Sequence, residues 1–256
     1  MSGRSWLVHR MAIALRNSWG PVLLGATTGF LSALVPSGFA VYPDGAGVLG
    51  GMGAACLGAA ALAPVVLVFL VASAVGRDDD DRVSVEYFFS DVSALWYRGG
   101  ACGAGVAQWT VFVVCAIAAG AITGLGDGLR QAHPVGSAGK VLLPFLLLVL
   151  VTAYLGIIAA GVSVNANGRL RGFACNYGLL ALFLALLALG PESPLAQIAR
   201  FLPAAPLWSL LPREVTGRYT QPTPWVESVG VASAWVFLGV VAFLSRVRRG
   251  GLANQE

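Results

Sequence analysis

The sequence predicts an all-α polytopic membrane protein with six transmembrane helices. Its 256 residues are 57% hydrophobic and only 11% charged, and the mean hydropathy is +0.77. A soluble domain has about 45–50% apolar and about 25% charged residues. In addition, apolar runs long enough to cross a bilayer recur along the chain, and most of the charge lies between them. Together these observations indicate several membrane-spanning helices.

The N-terminal segment, residues 1–19, is predicted to be an amphipathic helix in the membrane interface. It mixes Arg4, Arg10 and Arg16 with Trp6 and Trp19, and Trp and Arg are typical of helices at headgroup level. A signal peptide would have an unbroken apolar core followed by a small-residue cleavage site. Residues 1–19 have neither feature, so they are not interpreted as a signal peptide. A poorly ordered basic tail is the alternative interpretation.

Six apolar runs follow, and we expect them to form a single transmembrane domain that occupies residues 1–256. Spans 1 and 2 lie within residues 20–75, spans 3 to 5 within 99–190, and span 6 within 225–245. The individual runs are 20–41, 47–75, 99–122, 140–162, 173–190 and 225–244. The second run is longer than the roughly 20 residues that a span needs, so it is expected to tilt or to kink near Pro64.

The segment before the last span, residues 191–224, is predicted to lie outside the cell. It contains seven prolines and two short apolar pieces, 195–202 and 207–211. Both pieces are too short to cross a bilayer. They are therefore predicted to be surface or re-entrant helices.

The most unusual stretch is residues 76–98, which interrupts the apolar chain with charged and aromatic side chains. Apolar residues recur in it at three- and four-residue spacing, as on one face of a helix. These residues are Val85, Phe88, Phe89, Val92 and Trp96. We predict a short amphipathic helix here. The four aspartates 78–81 are interpreted as a solvated acidic cap, because consecutive side chains point in different directions and do not converge on one ion.

The distribution of basic residues predicts the topology. Eleven lie on the side shared by both termini, the 76–98 stretch and a predicted loop at 163–172. In that loop Ser163, Asn165 and Asn167 are interpreted as loop residues. Five basic residues lie on the opposite side. Positive charge is enriched in cytoplasmic loops, so both termini, the 76–98 stretch and the tail 246–256 are predicted to be cytoplasmic.

The sequence has no pattern typical of a metal, cofactor or nucleotide site. The four cysteines stand far apart, and His9 and His133 fall on opposite predicted membrane faces. The only lysine, Lys140, follows Gly139, but Pro134 stands where a phosphate-binding loop has its first glycine and Val141 where it has Ser or Thr. The basic residues are scattered between spans, unlike those of a nucleic-acid-binding surface. The chain is therefore predicted to have no enzymatic activity, no cofactor and no nucleic-acid partner.

This order of elements resembles the permease subunits of ABC-2 type transporters, a family of bacterial drug, lantibiotic and lipid exporters. The resemblance depends on the basic N-terminal helix with Arg10 and Arg16, and on the charged segment Arg82–Arg98 that leads into a span at Gly99. It also depends on the proline-rich segment around Phe201–Pro212 and the basic C-terminal residues Arg246–Arg249.

The resemblance implies an ATP-driven exporter of an amphiphilic compound in the bacterial plasma membrane. Two copies of an ABC ATP-binding subunit would bind ATP and Mg, and a second permease half, identical or homologous, would complete the complex among the membrane lipids. The 76–98 segment would be the coupling helix. Its residues in contact with the ATPase would be Glu86, Phe88, Phe89, Asp91, Val92 and Trp96.

Three alternatives stay open. The 76–98 helix could contact only lipid. The chain could be a membrane-embedded lipid-modifying enzyme, for which Asp78–Asp81, Asp127 and Glu214 are the candidate carboxylates. It could also be an immunity or accessory membrane protein that binds a toxin without pumping it.

Overall fold

A computed structural model describes residues 3–34, 47–80, 92–130, 135, 139–166, 168–189, 193–208 and 225–252. Within these ranges the protein is all-helical and contains no strand, as predicted. The α-helices are α1 (Gly3–Arg16), α2 (Trp19–Leu34), α3 (Val48–Asp80), α4 (Ala94–Arg130), α5 (Gly139–Asn165), α6 (Arg169–Ala188), α7 (Ala205–Trp208) and α8 (Trp225–Leu252). A 3₁₀ helix, η1 (Pro194–Phe201), lies between α6 and α7.

Five of the described helices are long and apolar enough to cross a membrane. The candidate spans are Val48–Arg77, Ala94–Gly126, Val141–Asn165, Arg169–Ala188 and Val226–Arg248. The chain is therefore a multi-pass membrane protein. The first predicted span is represented by the 16 residues of α2, and its remaining residues, 35–41, lie outside the described part of the chain. The six-span layout stays a prediction.

Several helices extend beyond the apolar runs that were used to predict them. Helix α3 continues through Gly76 to Asp80, α4 begins at Ala94 and not at Gly99, and α8 reaches Leu252 and not residue 245. The loop predicted at 163–172 is shorter than expected, because α5 ends at Asn165 and α6 begins at Arg169. Hydropathy marks where the apolar side chains stop, whereas backbone hydrogen bonding can continue through polar residues.

The chain forms two compact units. The first unit comprises Met1–His9, Val71–Gly103 and Gly156–Glu256, and the second comprises Arg10–Leu70 and Ala104–Leu155. Helices α3, α4 and α5 each contribute one part to each unit. That residues 1–256 form a single transmembrane domain stays a prediction.

The second unit is held together by close backbone contacts between small residues. A Cβ atom added to Gly29 of α2 would lie 2.7 Å from the carbonyl carbon of Ala116 in α4. A Cβ atom added to Gly51 of α3 would lie 2.9 Å from the carbonyl carbon of Gly120, also in α4. Small residues allow helix backbones to approach this closely in lipid, so these glycines set the distances of α2 and α3 from α4.

The second unit also contains a buried aromatic pair. Trp109 and Phe112 of α4 stack with their ring centroids 4.8 Å apart, and both side chains are almost completely buried. The indole N–H of Trp109 donates a 3.0 Å hydrogen bond to the hydroxyl of Thr152 in α5. This bond satisfies the polar atom of a side chain that is otherwise in apolar surroundings.

Candidate functional site

Four helices of the first unit meet in a small apolar cluster near their ends. Val75 of α3, Ala101 of α4 and Val164 of α5 are fully buried against one another, and Cys102 of α4 and Phe243 of α8 pack on them. Helices α3 and α5 end just beyond this cluster, α4 begins just before it, and α8 is in its last turns. The helix ends that carry the predicted cytoplasmic segments therefore come together. We call this part of the first unit the basic end.

Four arginines lie within a few residues, along the sequence, of members of this cluster. They are Arg77 after Val75, Arg98 before Ala101, Arg169 after Val164 and Arg246 after Phe243. Arg171 and Arg248 lie further along α6 and α8 and are exposed. These six arginines, which the sequence analysis assigned to one membrane side, thus lie near the same end of the described part of this unit.

The basic end brings the last turn of α3 against the first turn of α6. A Cβ atom added to Gly76 would lie 2.6 Å from the backbone nitrogen of Arg169, so any larger residue would separate the two helices. Gly168, which precedes α6, has a φ of 127°, a backbone conformation that favours glycine. The sharp turn between α5 and α6 and the close packing of α6 on α3 both depend on glycine.

Two asparagine side chains connect these helices further. The Asn165 amide nitrogen donates 2.9 Å hydrogen bonds to the carbonyls of Gly161 in its own helix and of Ala242 in α8. The Asn176 amide nitrogen donates to the Gly172 carbonyl at 2.8 Å and to the Ser163 hydroxyl at 3.0 Å. Asn165 therefore links α5 to α8, and Asn176 links α6 to α5.

The interpretation of Ser163 and Asn165 as loop residues is wrong, because both lie in α5. Asn167, which was interpreted in the same way, lies outside the described residues. Ser163 is only 2% exposed. The sequence contained one signal that Ser163 takes part in a contact between helices. Asn176 stands inside an apolar run, where an amide needs a hydrogen-bond partner.

The N-terminal helix is joined to the start of α4. Val92 and Tyr97 are buried against each other, and Trp6 of α1 and Ala94 pack on them. The rings of Trp6 and Tyr97 lie 6.2 Å apart and are tilted by 35°. The guanidinium carbon of Arg98 is 5.4 Å from the centre of the Tyr97 ring, within the range of a cation–π contact. Sequence reasoning assigned Trp6 to the membrane interface and missed its packing on Tyr97.

The six predicted ATPase-contact residues are only partly described. Glu86, Phe88, Phe89 and Asp91 lie outside the described residues. Val92 is buried in the joint with α1, and Trp96 is 41% exposed. Trp96 lies in the first turn of the long helix α4, with Gly3 of α1 against its indole ring. The contact of these six residues with another chain stays a prediction.

The contacts at the basic end join one helix to another. They consist of apolar packing, aromatic packing and amide hydrogen bonds between helices. In the part of the chain that the structure describes, no three His, Cys, Asp or Glu residues are grouped so that they could hold a metal ion. Such contacts fix the relative positions of helix ends, which suits the transmission of a displacement between them.

No protein-family model matches this chain, and no curated protein or solved structure shows significant similarity to it.

Proposed function

We propose that this chain is the membrane-spanning permease subunit of an ATP-driven ABC exporter for an amphiphilic compound. The observation that carries the proposal is the convergence of helix ends on both sides of the 81–91 segment. Helix α3 leads into that segment and α4 leaves it, and both pack at the basic end with the ends of α5, α6 and α8. A force applied to this segment would therefore reach several spans.

The order of the remaining elements also supports the proposal. A basic helix, α1, precedes the apolar helices, and its Trp6 packs at the start of α4. The short helices η1 and α7 stand between α6 and α8. The resemblance found in the sequence has the same order, with an N-terminal interfacial helix, a coupling helix after span 2 and short helices before span 6.

The mechanism we propose is a rigid-body displacement of helix ends. Closure of the ATPase subunits would push on the 76–98 segment, and α4 would carry the movement because its 37 residues form one continuous helix, about 55 Å long at 1.5 Å per residue. The buried contact of Val75, Ala101 and Val164 would make α3 and α5 follow. Interfaces packed in this way move between discrete arrangements and do not deform continuously.

The proposal also includes the orientation of the chain in the membrane and its partner subunits. The basic end faces the cytoplasm of a bacterial cell, because positive residues are enriched on that side, and both termini are cytoplasmic. Two ABC ATP-binding subunits supply ATP hydrolysis, and a second permease half, identical or homologous, completes the membrane part.

Co-purification provides the first test. The chain would be extracted in a mild detergent after native expression, and its partners would be identified by mass spectrometry. We expect an ATP-binding subunit, with or without a second permease. Recovery of the chain alone, from a preparation in which a known ABC complex survives, would overturn the proposal.

A second test concerns the predicted coupling residues. Replacement of Phe88 and Phe89 by Ala should reduce the recovered ATPase subunit and abolish export. The matched control replaces Phe145 and Phe237, two exposed phenylalanines of the spans α5 and α8, and should leave recovery unchanged. Equal recovery with both double variants would remove the 76–98 segment from the proposed ATPase contact.

A further inference from the structure

The eight residues of the 3₁₀ helix η1, together with Leu202 that follows it, form three straight rows. The amide of Ala196 donates to the carbonyl of Ser193 at 3.0 Å, and the amide of Leu202 donates to that of Ala199 at 3.1 Å. These bonds span three residues, as expected for a helix with 3.0 residues per turn, in which side chains three apart are aligned. In an α-helix the same side chains would drift around the axis.

One row is buried against α6. It consists of Ala196, Ala199 and Leu202, of which Ala199 is 3% and Leu202 is 9% exposed. Ala199 and Leu202 form a cluster with Phe183, and Leu186 and Leu187 pack on it. This row fixes η1 on the second half of α6.

A second row is apolar and faces outwards. Leu195 is 55% exposed, Ile198 is 49% exposed and Phe201 is 68% exposed. The third row, Pro194, Gln197 and Arg200, contains the polar side chains of the helix. The Trp235 indole N–H of α8 donates a 2.7 Å hydrogen bond to the backbone carbonyl of Phe201 and so attaches the C-terminal end of η1 to α8.

We propose that the row Leu195, Ile198 and Phe201 is inserted into the acyl chains of the membrane leaflet at this end of α6. Eight residues at about 2.0 Å each give η1 a length of about 16 Å, about half of the roughly 30 Å hydrocarbon core. The helix therefore does not cross the bilayer and lies within one leaflet or its interface.

The surface around this row supports lipid as its occupant. Leu182, Leu184 and Leu189 at the end of the candidate span α6 are about half exposed, and so is Leu238 of the candidate span α8. The two helices that contact η1 thus also expose apolar side chains, as membrane-spanning helices do toward hydrocarbon.

The 3₁₀ form of η1 also supports an apolar environment on two of its sides, with α6 on one and lipid on the other. Runs of 3₁₀ helix longer than three or four residues are uncommon, and η1 has eight. Straight rows allow one apolar row to pack on α6 and the other to remain in lipid over the full length of the element. This inference depends on the chain's spanning a membrane and not on its being a permease.

Nitroxide accessibility in proteoliposomes tests the proposal. A spin label would be attached to a genetically encoded reactive residue at 195, 198, 201 or 197, so that the four native cysteines stay in place. Collisions with oxygen, which concentrates in hydrocarbon, and with a water-soluble nickel chelate would be measured at each position. Position 237, an exposed phenylalanine of α8, provides the lipid reference.

We expect the labels at 195, 198 and 201 to match position 237 within about twofold for both reagents, and the label at Gln197 to show several-fold more nickel collisions. High nickel accessibility at all four positions would place η1 in water and overturn the proposal. Low accessibility to both reagents at 195, 198 and 201 would also overturn it, because the row would then be packed against protein, such as a second copy of this chain.

Discussion

The side-chain amide of Asn165 donates a 2.9 Å hydrogen bond to the backbone carbonyl of Ala242. This bond joins the end of α5 to α8, across 77 residues of sequence. Nearby, the backbones of Gly161 in α5 and Gly239 in α8 are in direct contact. The two helices run in the same direction here, since Gly161 is opposite Gly239 and Asn165 is opposite Ala242. Parallel packing of this kind is expected of the predicted fourth and sixth spans.

Replacement of Asn165 by Leu should loosen this end of α8. The variant loses the bond to Ala242, and we expect it to lower the free energy of unfolding by about 0.5–1 kcal/mol, the usual size for such bonds between membrane helices. The measurement is denaturant unfolding in mixed micelles. Thr27→Val is the control, because the Thr27 hydroxyl bonds only to carbonyls of its own helix. Equal stability of both variants and the native chain would contradict the role of Asn165.

The same substitution at two glycines of α5 should have opposite effects. A Cβ atom at Gly161 would lie 2.8 Å from the Cα of Gly239, whereas one at Gly156 would meet no atom within 4 Å. Gly161→Ala should destabilise the protein by about 1–3 kcal/mol through overpacking. Gly156→Ala should be neutral or stabilising by up to about 1 kcal/mol, because Ala favours helix. Thermal unfolding of the two variants in the same detergent checks this, and a loss at Gly156 as large as at Gly161 would refute it.

The contact between Trp6 and Tyr97 should be measurable as a coupling energy. A double-mutant cycle of Trp6→Ala and Tyr97→Ala is expected to give about 0.5–1.5 kcal/mol, as for other aromatic pairs. Stability to unfolding in micelles is the readout. The parallel cycle with Phe237→Ala and Tyr97→Ala should give no coupling, because the Phe237 side chain, on α8 of the same unit, is 68% exposed. Additive effects of Trp6 and Tyr97 would show that α1 is not anchored at this point.

Thr152→Val should cost more than Thr110→Val, although both remove one hydroxyl. Thr152 accepts the hydrogen bond of Trp109, whose side chain is 2% exposed, so the variant leaves a buried indole N–H without a partner, at a cost of about 1–3 kcal/mol. The Thr110 hydroxyl bonds to the carbonyl of Val106 in its own helix and is exposed. Unfolding free energies of the two variants, with tryptophan fluorescence as the probe, test this difference. Similar losses for both would contradict it.

The coarse architecture could be predicted because it depends on composition. Runs such as 47–75 and 225–244 contain little charge over the length of a bilayer, and both lie in helices that are long and apolar enough to cross it. The helix ends were predicted less well. Gly76 and Ala94 lie in α3 and α4, although the sequence analysis assigns both to the connecting segment. Charge marks the end of an apolar run, but a helix can continue through charged residues.

The contacts of the candidate site could not be predicted. Trp6 and Tyr97 are 91 positions apart and Asn165 and Ala242 are 77 apart, and no local pattern shows which distant side chain a tryptophan or an asparagine will meet. The 3₁₀ form of η1 was also missed. Its apolar residues fit a three-residue spacing, but that spacing fits part of an α-helix as well.

The sequence by itself determined that this chain is helical and built for a membrane, because the free energy of placing a segment in hydrocarbon depends on the sum of its own side chains. It also set where small residues permit close helix contacts. Only the tertiary structure decided which helices use them, which amides connect α5 to α6 and α8, and which rows of η1 are buried. Those choices depend on the simultaneous packing of several helices, whose energies are small individually and are fixed only when all neighbours are in place.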